Sequence, residues 1–227
     1  MTATAPTAPT ALTTSTILKI VQAGHPVLRQ KARPLSPDEI RGPDVQRIIE
    51  AMRETMRDAP GVGLAAPQVG LGLQLVVIED KPAYVERGDP DEMRARGRTP
   101  VPFQVLVNPR LNIVDATPVE FFEGCLSVTD MMMVVPRLRA VRVEALDHTG
   151  SPISLSADGW PARILQHEID HLRGVLCIDR MLSRTFMSTR NYGQWWANTP
   201  VPDVLRAVAV TEAPDAPLSS ATGPGGA

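Results

Sequence analysis

The sequence predicts an α+β fold: mostly antiparallel sheets packed around a central helix that carries an H-E-x-x-H run. Three observations lead there. Seven short runs rich in Val, Ile and Leu are bunched between helical patterns: LQLVVIE, FQVLV, LNIV, VEFF, MMVV, AVRVEAL and PISL. They are separated by turn chemistry such as Asp147-His148-Thr149-Gly150, with no regular βαβ alternation, which argues against a parallel sheet. Two helical patterns frame them, one before the first run and one after the last.

In chain order, residues 1–16 are almost entirely Thr, Ala and Pro and offer too little to bury, so a disordered tail is expected. Ser36-Pro37-Asp38-Glu39 reads as a capping box with proline at the first helical position, and Gly42-Pro43 interrupts or restarts that helix. Val45, Ile48, Ile49, Met52 and Met56 then recur at helical spacing, a core stripe that stops near Pro60-Gly61. Asp80 to Pro102 is polar and charged and is expected to be a long surface loop. The last helix should begin near Gly159 and end before Gly174. From Thr211 the composition again predicts a disordered tail, 211–227, leaving 17–210 as one catalytic domain. No internal repeat is visible.

Composition bounds the function. The 227 residues suffice for one well-filled core, and the hydrophobic content of 43% is that of an ordinary globular protein. A formal charge of −2 gives no electrostatic reason to expect DNA or an anionic membrane as partner. Runs such as LQLVVI fall far short of the ~20 apolar residues that cross a bilayer. The N-terminus lacks a basic start, a long apolar stretch and any arginine, so neither a secretory signal nor a transit peptide is expected. Cys125 and Cys177 make no disulfide framework, and a cytoplasmic chain with reduced thiols is the expected context.

The chemistry concentrates in QHEIDHLRGVLC, residues 166–177. On a helix, positions i and i+4 lie one above the other, so His167 and His171 can present ring nitrogens to one ion. Glu168, about 100° round from His167, can reach a water at that ion. A metal lowers the pKa of such a water from 15.7 to about 7, and a carboxylate then accepts and returns its proton. His25 and His148 have no comparable partners and are read as bystanders. Two thiols compete for the third ligand position. In H-E-x-x-H-x-x-G-x-x-C, Cys177 stands where metzincin proteases carry a third histidine. Cys125, in FFEGCLSV, follows a glycine at a strand end where backbone can approach an ion. Spacing leaves the choice open, although context leans towards Cys125.

Three segments, GVGLAAPQ at 61–68, EGCLS at 123–127 and QHEIDH at 166–171, together resemble the three motifs of peptide deformylases. That metalloenzyme family removes the formyl group from the N-terminal formylmethionine of nascent proteins, releasing formate. The resemblance covers roughly residues 20–185, and ADGWPARILQHEIDHL with DRMLSRTF is similar to the family's organellar branch. It implies that Cys125, His167 and His171 hold one divalent ion, ferrous iron being expected and zinc, nickel or cobalt possible. It implies that Glu168 is the acid/base group, and that the Gln68 side chain and the Leu126 backbone N–H stabilise the oxyanion. It places Gly63 and Val62 beside the substrate. Helical spacing adds Ile164 and Trp160, three and seven residues before His167 on its face, as further candidates for the pocket wall or for plain core packing. N-formylmethionyl peptides are the implied partner, with the ribosome met transiently. One departure stands out: many bacterial members carry an arginine five residues after the serine of EGCLS, where this chain has Met132. The polar anchor is then missing or supplied elsewhere, with Arg137 as the candidate. Asp170 is left open between a second-layer acceptor and a solvated helix charge. Two rival readings are a zincin-like endopeptidase using Cys177 or a distant acid as third ligand, and a non-catalytic relative that binds nascent chains at the ribosome.

Overall fold

The computed structural model describes residues 16–209. The two expected disordered tails lie outside the described residues, apart from Thr16.

The capping box forms as read: Ser36 and Glu39 exchange side-chain and backbone bonds at the start of α1, Pro37–Arg41. Gly42 separates it from α2, Pro43–Asp58, whose apolar stripe is buried. After β1, Gly63–Ala65, and β2, Leu75–Asp80, come two short helices, α3, Pro82–Glu86, and α4, Pro90–Ala95. Two long strands follow, β3, Val101–Cys125, and β4, Val128–Leu146, and then β5, Pro152–Asp158. Helix α5, Gly159–Leu172, carries the H-E-x-x-H run. The described residues end with β6, Met187–Ser188, α6, Thr189–Asn191, and α7, Val201–Val208.

The strands form an antiparallel sheet in the order β1-β2-β3-β4-β5, with β6 paired to β4 off this path. Both faces of its centre are covered. Leu75, Val77, Val105 and Val107 pack with Met52 and Met56 of α2, while Val76, Ile78 and Leu106 pack with Ile164, Leu165 and Ile169 of α5. Successive side chains alternate faces, so a strand buried on both sides reads as the unbroken apolar run LVVI. Helix α5 packs against each of β1 to β5, which makes it the central helix of the fold. At about 2 kcal/mol for each fully buried Leu, Ile or Met side chain, these two layers hold the helix rigidly.

Two expectations are corrected. FQVLV, LNIV and VEFF are parts of the single strand β3, and MMVV and AVRVEAL are both parts of β4. The pairing of β3 with β4 instead shifts register between Val107 and Arg110, between Ile113 and Asp115, and between Asp115 and Pro118. One bulge absorbs Asn108, which has φ of 52°, and Pro109, and another lies just before Pro118, which itself pairs with Leu138, so the ladder bends without ending. The Asp80–Pro102 segment is no plain loop, because it contains α3 and α4, each with proline in its first turn. Among the described residues, no helix is long and apolar enough to cross a membrane.

Candidate metal centre

Strand β3 ends at Cys125, and the tight turn through Leu126 and Ser127 feeds β4. That turn brings the sulfur against α5. Ligand atoms of Cys125, His167 and His171 all lie within 4.8 Å of one another, and Cys125 Sγ is 3.4 Å from His171 Nε2. A tetrahedral ion with metal–sulfur and metal–nitrogen bonds of about 2.3 and 2.1 Å needs a sulfur–nitrogen separation of about 3.6 Å. One soft thiolate and two imidazoles would therefore fit a divalent transition-metal ion. Cys177 is not part of this group. It is buried beside Val128, Met133 and Val135.

His167 is oriented from behind. Its Nδ1 lies 2.9 Å from Glu123 Oε2, which turns Nε2 towards the sulfur. Glu123 accepts two bonds of 3.0 Å from the Arg137 guanidinium and one of 2.6 Å from Arg163. Arg137 also donates to Asp170, which accepts in turn from Arg180 at 2.6 and 2.8 Å. Burial alone would raise the Glu123 carboxyl, but His167 and the Arg137 guanidinium hold it well below the carboxylate range. This settles Asp170 as a structural acceptor, 4% exposed. It also corrects Arg137, which is locked in the buried network at 4% exposure and is not available to anchor a peptide. Met132 lines the cavity together with Arg163, whose guanidinium is engaged by Glu123 and by the carbonyls of Val135 and Val119. Glu123 and Arg163 went unremarked in the sequence. The available signal was strand alternation, which puts Glu123 on the same face as Cys125.

Glu168 is buried, and its Oε2 has no hydrogen-bond partner. Burial raises its carboxyl to about 7, against the pull of the His167 and Arg137 charges. Gln68 sits in a short helix, Ala66–Val69, with its Oε1 accepting the Ala65 N–H at 2.8 Å. The fixed amide directs Nε2 towards Cys125 Sγ at 3.7 Å and Ser127 Oγ at 3.4 Å. The N-terminal segment braces both motif loops. Val21 N–H donates to Gln68 O at 2.8 Å, Ala23 N–H to Ser127 O at 2.8 Å, and the Gln22 side chain to Leu126 O at 3.0 Å.

A cavity of about 670 Å³ opens over the centre, and Val62, Gly63, Gln68, Leu126, Trp160 and Ile164 are in its wall with His167 and Glu168. Every residue expected at the site is thus in one place, His171 being buried just beneath. His25 is a structural cap, its Nδ1 accepting the Val27 N–H at 3.3 Å, and His148 lies away from the centre, its carbonyl accepting from Gln46 at 2.8 Å.

Comparison with known proteins agrees with this geometry. The family model described as polypeptide deformylase matches residues 17–186. The chain is 46% identical to the chloroplastic peptide deformylase 1A of Solanum lycopersicum, over 76% of this chain and 62% of that protein's length. It is 48% identical to peptide deformylase 3 of Streptomyces avermitilis, over 90% of this chain and 88% of the relative. Among solved structures, a class I type b peptide deformylase from Acinetobacter baumannii with Met-Ala-Ser bound superposes with a TM-score of 0.65 at 32% identity, covering 74% of this chain and 99% of that one.

Proposed function

The chain belongs to the polypeptide deformylase family, and on that premise we propose how its own residues remove the N-formyl group from newly made peptides and release formate. The observation that carries this reading is one thiol and two imidazoles converging within 4.8 Å, with the unpartnered carboxylate oxygen of Glu168 in the same cavity wall.

Cys125, His167 and His171 would hold one divalent cation. Iron(II) is our expectation, and zinc, nickel or cobalt would satisfy the same donors. Once bound, the cation supplies Lewis-acid activation of a water and of the formyl carbonyl. Glu168 takes the proton of the attacking water and passes it to the leaving amine. A carboxylate in the cavity wall, with one oxygen free of protein partners, is suited to both steps. The Gln68 amide and the Leu126 N–H stabilise the anion that develops on the carbonyl oxygen. Gln68 is already fixed by Ala65, so little reorganisation is needed as the charge appears.

Strand β1 is at the edge of the sheet, and an extended peptide can pair with the outward backbone groups of Gly63. Val62, Ile164 and Trp160 receive the methionine side chain. Residues 17–210 act as one catalytic domain. We place its work in the cytoplasm, on chains met transiently at the ribosome.

The test is formate release from formyl-Met-Ala-Ser by metal-replete protein. Glu168→Gln should lose at least 100-fold in kcat while keeping its metal, and unimpaired turnover by that variant would defeat the assignment.

A further inference from the structure

The segment Asp80–Pro102 touches the cavity only indirectly, yet it is built onto one of its walls. After α4 the chain turns at Gly97, φ 56°, and meets the start of α5, where the Trp160 N–H donates to Gly97 O at 3.4 Å. Gly159, φ 61°, makes the approach feasible, since a Cβ there would lie 2.9 Å from Gly97 O and 3.0 Å from Arg96 O. Two guanidinium groups then flank the indole of Trp160, Arg96 at 5.1 Å and Arg98 at 5.4 Å from the ring.

Arg96 is held within its own segment by Glu92, whereas Arg98 is held from the sheet. Its Nε and one terminal nitrogen bind the two oxygens of Asp80 at 2.8 and 2.9 Å, and Asp80 is fully buried at the end of β2. A bidentate ion pair holds a planar guanidinium in one orientation, and that plane lies against an aromatic ring. Asp80, Arg98 and Trp160 therefore form a chain from the sheet to the cavity wall. Arg96 also leans on Phe121 at 5.5 Å, which closes the stack from the other side.

We propose that Arg98, clamped by Asp80, is a positioning residue for Trp160, and that this segment thereby sets the shape of the pocket taking the first side chain of the peptide. The inference rests on the deformylase reading, because it assigns that pocket to the substrate. It makes the polar insert a determinant of substrate binding rather than a surface loop, although neither Asp80 nor Arg98 is in the cavity wall.

The experiment is a coupling measurement on metal-replete protein with formyl-Met-Ala-Ser. Arg98→Ala should raise KM about 5-fold to 10-fold with kcat within about twofold, the pattern of lost binding rather than lost chemistry. Trp160→Leu should do the same, and Arg98→Ala added to Trp160→Leu should change KM by less than about 1.5-fold, because the two act through one wall. Arg98→Lys, which keeps the charge but lacks the flat stacking group, should fall between wild type and Arg98→Ala. It also serves as the readable variant should Arg98→Ala fail to fold. Equal effects of Arg98→Ala with and without Trp160 would overturn the proposal, as would an unchanged KM in folded Arg98→Ala or Arg98→Lys. Absence of formate release by the wild type would instead defeat the deformylase reading. The coupling would then be read from the Kd of Met-Ala-Ser by calorimetry.

Discussion

The carboxylate of Glu168 lies directly on the α-carbon face of Gly63: a Cβ added to Gly63 would stand 2.2 Å from Glu168 Oε1 and 2.6 Å from its Cδ. The glycine of the first motif thus makes room for the acid of the third. Two segments a hundred residues apart in the chain meet with no side chain between them.

Gly63→Ala is therefore expected to push Glu168 out of place and lower kcat by about 100-fold, within the range that positioned acid–base groups contribute. The three metal ligands are untouched, so metal content should stay at the wild-type level. Stopped-time formate assays alongside elemental analysis read both, and full turnover by Gly63→Ala would refute the packing role.

The pH dependence of stability before an ion binds follows from two raised groups. Burial lifts Glu168 to about 7, so between pH 4.5 and 7 the folded chain keeps a proton that the unfolded chain has lost, and stability falls as pH rises. Burial pulls His167 down, but the hydrogen bond and charge of Glu123 outweigh it and lift the group to about 9. Its stabilisation is complete below pH 6.5 and is lost as pH rises through 9. Both slopes have the same sign. In metal-stripped protein, Glu168→Gln should remove the lower part of the decline and gain on wild type by up to roughly 3 kcal/mol at pH 8. Urea unfolding at pH 5 and pH 8 measures this, and a gap independent of pH would contradict it.

Arg137 is the hinge of the buried charge network. Arg137→Ala leaves Glu123 with Arg163 and His167 and Asp170 with Arg180 alone, in an interior that cannot rehydrate them. A loss of about 3–5 kcal/mol in unfolding free energy is expected, the usual cost of breaking a buried pair from one side. Denaturant titration at fixed pH checks it, and a loss below about 1 kcal/mol would show that the network carries little.

Local signals made α5 and its ligands legible in the sequence, since H-E-x-x-H states its own geometry on any helix. The choice of Cys125 over Cys177 needed the resemblance, because a thiol delivered from β3 to α5 leaves no periodic trace. The long strands were hidden because Asn108-Pro109 carries turn chemistry that a bulge absorbs, and Pro118 takes a paired place opposite Leu138 just after another. Helices α3 and α4 were overlooked despite Asp89-Pro90, an N-cap followed by proline at the first helical position, since both are under two turns long. Arg137 was misjudged as a peptide anchor because burial is a tertiary property. The same charge that would suit a substrate carboxylate is consumed by Glu123 and Asp170.

The most direct test of the account is the metal content per chain of Cys125→Ser compared with Cys177→Ser, both purified without oxygen. One ion in Cys177→Ser and none in Cys125→Ser is the expected result. Retention by Cys125→Ser with loss in Cys177→Ser would contradict the centre described here.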